Sequence, residues 1–259
     1  MPPSCLPSRS GQGRETELSV EPWVVLATLV AISASFMVSA SAGLGGSLIL
    51  VPTLALILGT KEGVALAALL LAANNVVKAL AYRETLPFRK ALLVIVLVSA
   101  GALTGARLLV SAPEQVVTVA VIVSFGIALI AERFDLSAVR RTGGPLLAIA
   151  SGATSGFSGT SGPLKGMALR QLNLDRSHFV GAASLVSLAG DATKALVFTE
   201  AGLLSGDSLL LLVVAVPLMF LATFSGRRIN FAIGERGYTT LFWAVMAGYT
   251  LRLVFGLYV

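Results

Sequence analysis

The chain has 259 residues, 56% of them hydrophobic and only 12% charged, and its mean hydropathy is +0.88. A soluble domain carries roughly 25% charged residues, so the 19 Lys+Arg and 13 Asp+Glu present cannot cover a compact body of this size. That excludes a solvated globular enzyme, a disordered chain and a nucleic-acid-binding module, and it makes lipid the main solvent. The net charge of +6 then reads as an excess of cations on cytoplasmic loops rather than as a nucleic-acid footprint. One cysteine, Cys5, forbids an internal disulfide, and one histidine, His178, forbids a multi-histidine metal site. No metal or cofactor is expected.

Residues 1–21 are rich in Pro, Ser and charge and read as a flexible tail. They do not read as a signal peptide, because the apolar run starts only after Glu21 and shows no cleavage end. From Pro22 onward apolar runs cover about 22–40, 43–58, 63–82, 91–110, 115–131, 144–157, 160–174, 179–198, 208–224 and 238–258. A membrane-crossing helix needs about 20 apolar residues, and four or five of these runs reach that length. The runs 43–58, 144–157 and 160–174 are short, and two of them open on glycine clusters. Such segments suit broken or re-entrant helices; whether 43–58 and 160–174 cross or turn back stays open at this point. Trp23, Trp243 and Tyr258 lie towards segment ends and read as interface anchors.

The chain repeats itself. Displaced by 116 residues, Gly43–Glu84 aligns with Gly159–Glu200 without a gap, and 13 of 42 columns are identical, Lys78/Lys194 among them. Chance in a Leu/Ala-rich chain gives roughly a tenth. The expected organisation is a first membrane repeat at 22–132, a cytoplasmic linker at 133–143 and a second repeat at 144–259. Loop charge gives the orientation. Arg83, Arg89 and Lys90 place the loop 83–90 inside, whereas its counterpart 199–207 has only Glu200 and Asp207. The loop 225–237 carries Arg227, Arg228 and Arg236, and the linker carries Arg133, Arg140 and Arg141. These signs agree if the second half is inverted relative to the first, with both termini outside. The fold class expected is all-α: a polytopic membrane protein of two inverted repeats, with about eight full or partial spans plus short broken segments.

Two constellations stand where chemistry is costly. The first is a pair of glycine stretches at equivalent positions, Gly43-Leu44-Gly45-Gly46-Ser47 and Ser158-Gly159-Thr160-Ser161-Gly162-Pro163. Glycines before a helix start allow close backbone approach, and the free N–H groups with the helix dipole favour an anion. Ser47, Thr160 and Ser161 add hydroxyl donors. Helix–helix packing through small residues is the competing reading. The second constellation is Lys78 and Lys194, each inside an apolar run, where a lysine costs about 2.5–3.5 kcal/mol on insertion scales. Snorkelling to the interface competes with a functional role. Asn74 and Asn75 share the helical face of Lys78, while Gly190 and Asp191 occupy the equivalent places before Lys194. Asp191 is therefore expected to neutralise Lys194 as a structural or proton-responsive pair, and Lys78 to meet an anionic substrate. Lys165, whose counterpart is Ile49, either assists an anion or reaches an interface, and the interface reading is preferred. Arg170, Asp175, Arg176 and His178 read as a solvated connector.

The stretch Gly43-Leu44-Gly45-Gly46-Ser47-Leu48-Ile49-Leu50-Val51-Pro52-Thr53-Leu54 resembles the first glycine motif of the sulfite exporter (TauE/SafE) family of bacterial membrane permeases. Ser155–Leu164 is similar to its second-half counterpart, and Asn74 through Arg83 and Phe179 through Lys194 follow the family's pattern. The first motif departs from it with Ser47 where a third glycine is common. The resemblance implies a multi-pass permease of the bacterial inner membrane that moves sulfite, thiosulfate or organosulfonates, often outward. Its partners would be a small anion and the bilayer, with a homo-oligomer left open. Three other readings compete. An intramembrane enzyme lacks a nucleophile–base set or a metal set. A non-transporting membrane subunit would give no flux. A carrier of carboxylates or metal cations is the third, and lysines at the symmetric sites disfavour cations.

Overall fold

A computed structural model describes residues 29–30, 32–37, 39–40, 46–131 and 143–232. The tail 1–21, Gly43, Gly45, most of the linker, the three expected anchor residues and the run 238–258 lie outside the described residues.

The described residues form helices and no strand. We number them α1 (helical at 29–30, 32–37 and 39–40), α2 (Gly46–Leu58), α3 (Thr60–Ala81), α4 (Phe88–Ser111), α5 (Glu114–Ala131), α6 (Gly144–Ser158), α7 (Gly162–Arg170), α8 (Arg176–Glu200) and α9 (Gly206–Ala232), with a 3-10 turn at Arg83–Thr85 after α3. Each apolar run between 43 and 224 becomes one helix. Three of them, α3, α4 and α8, are long and apolar enough to cross a membrane. The 13 residues of α2 and the nine of α7 rise only about 20 and 14 Å, less than the ~30 Å of a hydrocarbon core. The repeat is visible in the helix boundaries. Gly46 opens α2 as Gly162 opens α7, and Thr60 opens α3 as Arg176 opens α8, at the same displacement as the sequence repeat.

Between α2 and α3 the chain reverses at Gly59, whose φ of 89° is a left-handed conformation that a side chain resists. The two helices then touch so closely that a Cβ on Gly63 would overlap the Ala55 backbone. Glu114 caps the start of α3, its carboxylate accepting the Thr60 N–H at 2.9 Å, which satisfies an orphan donor at the positive helix end. Lys61 does the opposite service for α4, donating to the Val110 carbonyl at 3.0 Å.

α3 and α8 form the centre, each with 67% of its most apolar window buried against 39% for α4. They run antiparallel. Glu62 near the start of α3 accepts the Ser205 N–H beyond the end of α8 at 3.3 Å. At the other end Gly181 of α8 lies against the Thr85 carbonyl beyond α3. α4 packs on α6 through glycines four residues apart on both helices: a Cβ on Gly101, Gly105, Gly152 or Gly156 would meet the partner's backbone carbonyl. Small residues of this kind let membrane helices approach closely. The outward sides of α4, α5 and α9 carry Leu92, Leu93, Val96, Val119, Ile127, Val213 and Leu221 in the open, a large apolar surface that water would not tolerate.

One sequence expectation is corrected. The stretch 225–237 is not a loop throughout, because α9 continues to Ala232; Arg227 and Arg228 therefore stand on a helix, with Arg228 exposed.

Candidate functional site

Of the two largest apolar clusters among the described residues, one gathers parts of α1, α2, the first half of α3 and parts of α5 and α9, and the other gathers α6, α7 and the first halves of α4 and α8. Residues 74–78 of α3 and 187–194 of α8 belong to neither. There the interior is polar. Lys78, Lys165, Asp191 and Lys194 are the charged side chains buried among the described residues.

The cluster has the symmetry of the repeat. Lys78 Nζ donates to Ser39 Oγ of α1 at 3.1 Å, and Lys194 Nζ donates to Ser155 Oγ of α6 at 2.9 Å, each serine standing 39 positions before its lysine. At the crossing of α3 and α8 the equivalent residues Asn75 and Asp191, 116 apart, touch each other, Asn75 Nδ2 donating to Asp191 Oδ2 at 2.8 Å. The other carboxylate oxygen of Asp191 meets Lys194 Nζ at 2.7 Å, one turn along the same helix. Asp191 thus joins the two halves through one side chain, as the i,i+3 spacing suggested for Lys194 and as nothing in the sequence suggested for Asn75.

Neither repeat lysine snorkels: both side chains are 0% exposed. The expectation for Lys165 is corrected too. It is buried, its Nζ donates to Ser187 Oγ at 3.1 Å, and it lies close enough to Lys78, Asp191 and Lys194 to interact with them through charge. The physical reason is its helix. α7 is short and carries Lys165 in its first turn, so the side chain starts deep in the protein with no length of helix to lift it to an interface. Asn74 is fully buried; its Oδ1 accepts from Thr223 of α9 at 2.9 Å, while its Nδ2 meets no partner among the described residues.

The glycine stretches sit beside these groups. Gly46 is pressed onto α1, where a Cβ would lie 2.8 Å from Ser39 Cβ, and its carbonyl accepts from Ser35 at 2.7 Å. Gly46 therefore abuts the serine that holds Lys78. Ser47 follows in the first turn of α2, half-buried. Gly159 ends α6 with φ 77° and faces Val51 of α2 and Val64 of α3, so the second stretch leans on the first half. Thr160 and Ser161 are buried and Gly162 opens α7. Gly46 and Gly159 are thus packing residues, and their packing sets the starts of α2 and α7 beside the charged cluster. The serines Ser39, Ser155 and Ser187 and Thr223 are site residues that sequence reasoning missed. A signal existed for two of them, since Ser39 and Ser155 continue the repeat upstream of Gly43.

The connector behaves as expected. Asp175 is exposed and pairs with His178 Nδ1. Slight desolvation pushes the Asp175 carboxyl up, but its hydrogen bonds with His178 outweigh this and hold it below the usual carboxylate range. An exposed pair of this kind contributes little, and His178→Ala is expected to leave transport within about twofold of wild type. A larger loss in a liposome flux assay would contradict that placement.

Apolar-faced helices packed around a buried, cation-rich cluster define an integral membrane protein of the transporter class. The chain belongs to the sulfite exporter TauE/SafE family, whose family model matches residues 27–253. The family is one of membrane transporters for sulfite and related sulfur anions. No curated protein and no solved structure matches the chain.

Proposed function

We propose that this protein is a multi-pass permease of the bacterial inner membrane that exports small sulfur-containing oxyanions, such as sulfite and organosulfonates. The observation that carries this reading is the buried cluster itself, three lysines to one carboxylate among the described residues, around the crossing of α3 and α8. Buried like charges raise one another's cost and an opposite charge lowers it, so an anion entering the cluster is favoured. Lys78 is the principal substrate cation. Asn74 and Asn75, the glycine stretches Gly43–Ser47 and Gly159–Gly162, and the hydroxyls of Thr160 and Ser161 complete the hydrogen bonds to oxygen. Asp191–Lys194 is the pair that orders the second half.

Two inverted repeats, with about eight full or partial spans between them, account for the antiparallel run of α3 and α8 and for the loop charges. In this reading α2 and α7 turn back within the bilayer, being too short to cross. Alternating access then follows from rocking one half against the other about the α3–α8 crossing.

The test is radiolabelled sulfite flux in proteoliposomes, competed with sulfate, thiosulfate, sulfonates and carboxylates. Saturable sulfite flux inhibited by sulfur oxyanions supports the proposal; flux inhibited only by carboxylates, or none at all, ends it. Lys78→Gln is expected to lower kcat/KM for sulfite at least ~30-fold, the usual scale for removing a desolvated charge–anion contact. Full retention of activity would remove Lys78 from the site.

A further inference from the structure

We propose that Thr223 is a positioning residue of the transport site: its hydroxyl holds the Asn74 amide so that Nδ2 is presented to an oxygen of the bound anion. The inference rests on the reading of the polar interior as the substrate site, and it brings α9 into that site.

The starting point is an imbalance of hydrogen bonds. Asn74 and Thr223 are both fully buried. Asn74 Oδ1 accepts from Thr223 Oγ1 at 2.9 Å, while Nδ2, which carries two N–H groups, meets no partner among the described residues. Asn75, next in the chain, differs, because its Nδ2 donates to Asp191. A buried donor left unpaired is costly, and native proteins keep few of them. The threonine is unusual as well. Thr53, Thr193 and Thr199 return their hydroxyls to the carbonyl four residues back. Among the described residues the Thr223 hydroxyl instead bonds Asn74.

An amide is planar, so fixing its oxygen fixes where its nitrogen points. With the Thr223 proton on Oδ1, the free end of Asn74 is a donor only. A donor suits a deprotonated oxygen, and a hydrogen bond to an ionised acceptor is stronger than one between neutral groups. Lys78 stands one turn on, along the same face of α3, so the amide and the proposed substrate cation share one side of the helix. The repeat does not duplicate this donor, since the position equivalent to Asn74 is Gly190.

A bond that merely pins α9 to α3 would behave differently, and stability measured beside transport separates the two. Sulfite flux in proteoliposomes of the full-length protein is compared with unfolding in detergent micelles. Thr223→Val, close in shape but without the hydroxyl, is expected to raise KM for sulfite about fivefold, and Thr223→Ser to restore it. Asn74→Leu is expected to raise KM at least ~10-fold. The double variant Asn74→Leu/Thr223→Val replaces both polar partners with apolar groups. It is expected to unfold no more easily than wild type, with a KM as high as that of Asn74→Leu. A wild-type KM in the double variant, or a KM that follows stability across the series, overturns the assignment and leaves the permease reading intact. A double variant that fails to fold shows the pair to be structural and overturns it too. Wild type carrying no sulfur oxyanion overturns both readings.

Discussion

Asp191→Ala is expected to cost about 3–5 kcal/mol of stability, with most of that recovered in the double variant Asp191→Ala/Lys194→Met. The carboxylate uses one oxygen on Lys194 Nζ at 2.7 Å and the other on Asn75 at 2.8 Å. Removing it leaves the buried Lys194 ammonium without its carboxylate and the Asn75 amide donor without its acceptor. Deleting the Lys194 charge as well reduces the repulsion and lets the vacated space be filled by apolar atoms, a replacement that is often neutral for a buried pair. Unfolding in detergent micelles over the four members of this cycle measures the coupling. Additive losses would mean that the pair contributes no interaction of its own.

The second large effect is steric. Gly152→Leu is expected to destabilise by more than about 3 kcal/mol, because a Cβ at that position already overlaps the Val98 carbonyl of α4. Backbone cannot move aside as a side chain can, so α4 and α6 must separate and lose the contacts around Gly101, Gly105 and Gly156 together. Gly126→Leu on α5 is the control. Among the described residues nothing lies within 4 Å of its Cβ position, and a leucine there is expected to stay within about 0.5 kcal/mol of wild type or improve the helix. Equal losses at the two sites would show that helix propensity or insertion, rather than the α4–α6 contact, dominates.

Much of this architecture is legible in the sequence, for reasons that differ by element. The helices are readable because lipid demands uninterrupted apolar runs, and the chain breaks them with glycine, proline or charge where α2, α3, α7 and α8 begin. Burial of Lys78, Lys194 and Asp191 is readable because a charge inside such a run has few alternatives, and Asp191 lies one turn from Lys194. Lys165 is not readable in this way. Depth depends on where a short helix starts in space, and a Gly-Pro start followed by nine helical residues does not encode that. Serines are nearly silent in an apolar run, since they serve backbone and partner alike, so Ser39 and Ser155 acquire meaning only from the lysines that reach them. The α4–α6 glycines have a visible four-residue spacing, but spacing does not name the partner helix. The extension of α9 past Arg228 was hidden because loop and helix residues share the same charges near a membrane surface.

The contact between Asn75 and Asp191 has a consequence for covalent connectivity. These residues hold the same position in two sequence-equivalent helices, and they face each other. In an assembly of two identical half-length chains, that position would be filled by like residues: two carboxylates, which repel, or two amides, which carry no charge. Joining both halves in one polypeptide frees the facing positions to differ, so that one side supplies the acid and the other the donor that satisfies it. A lone carboxylate at the meeting line can then bias one half relative to the other, which matched copies could not do.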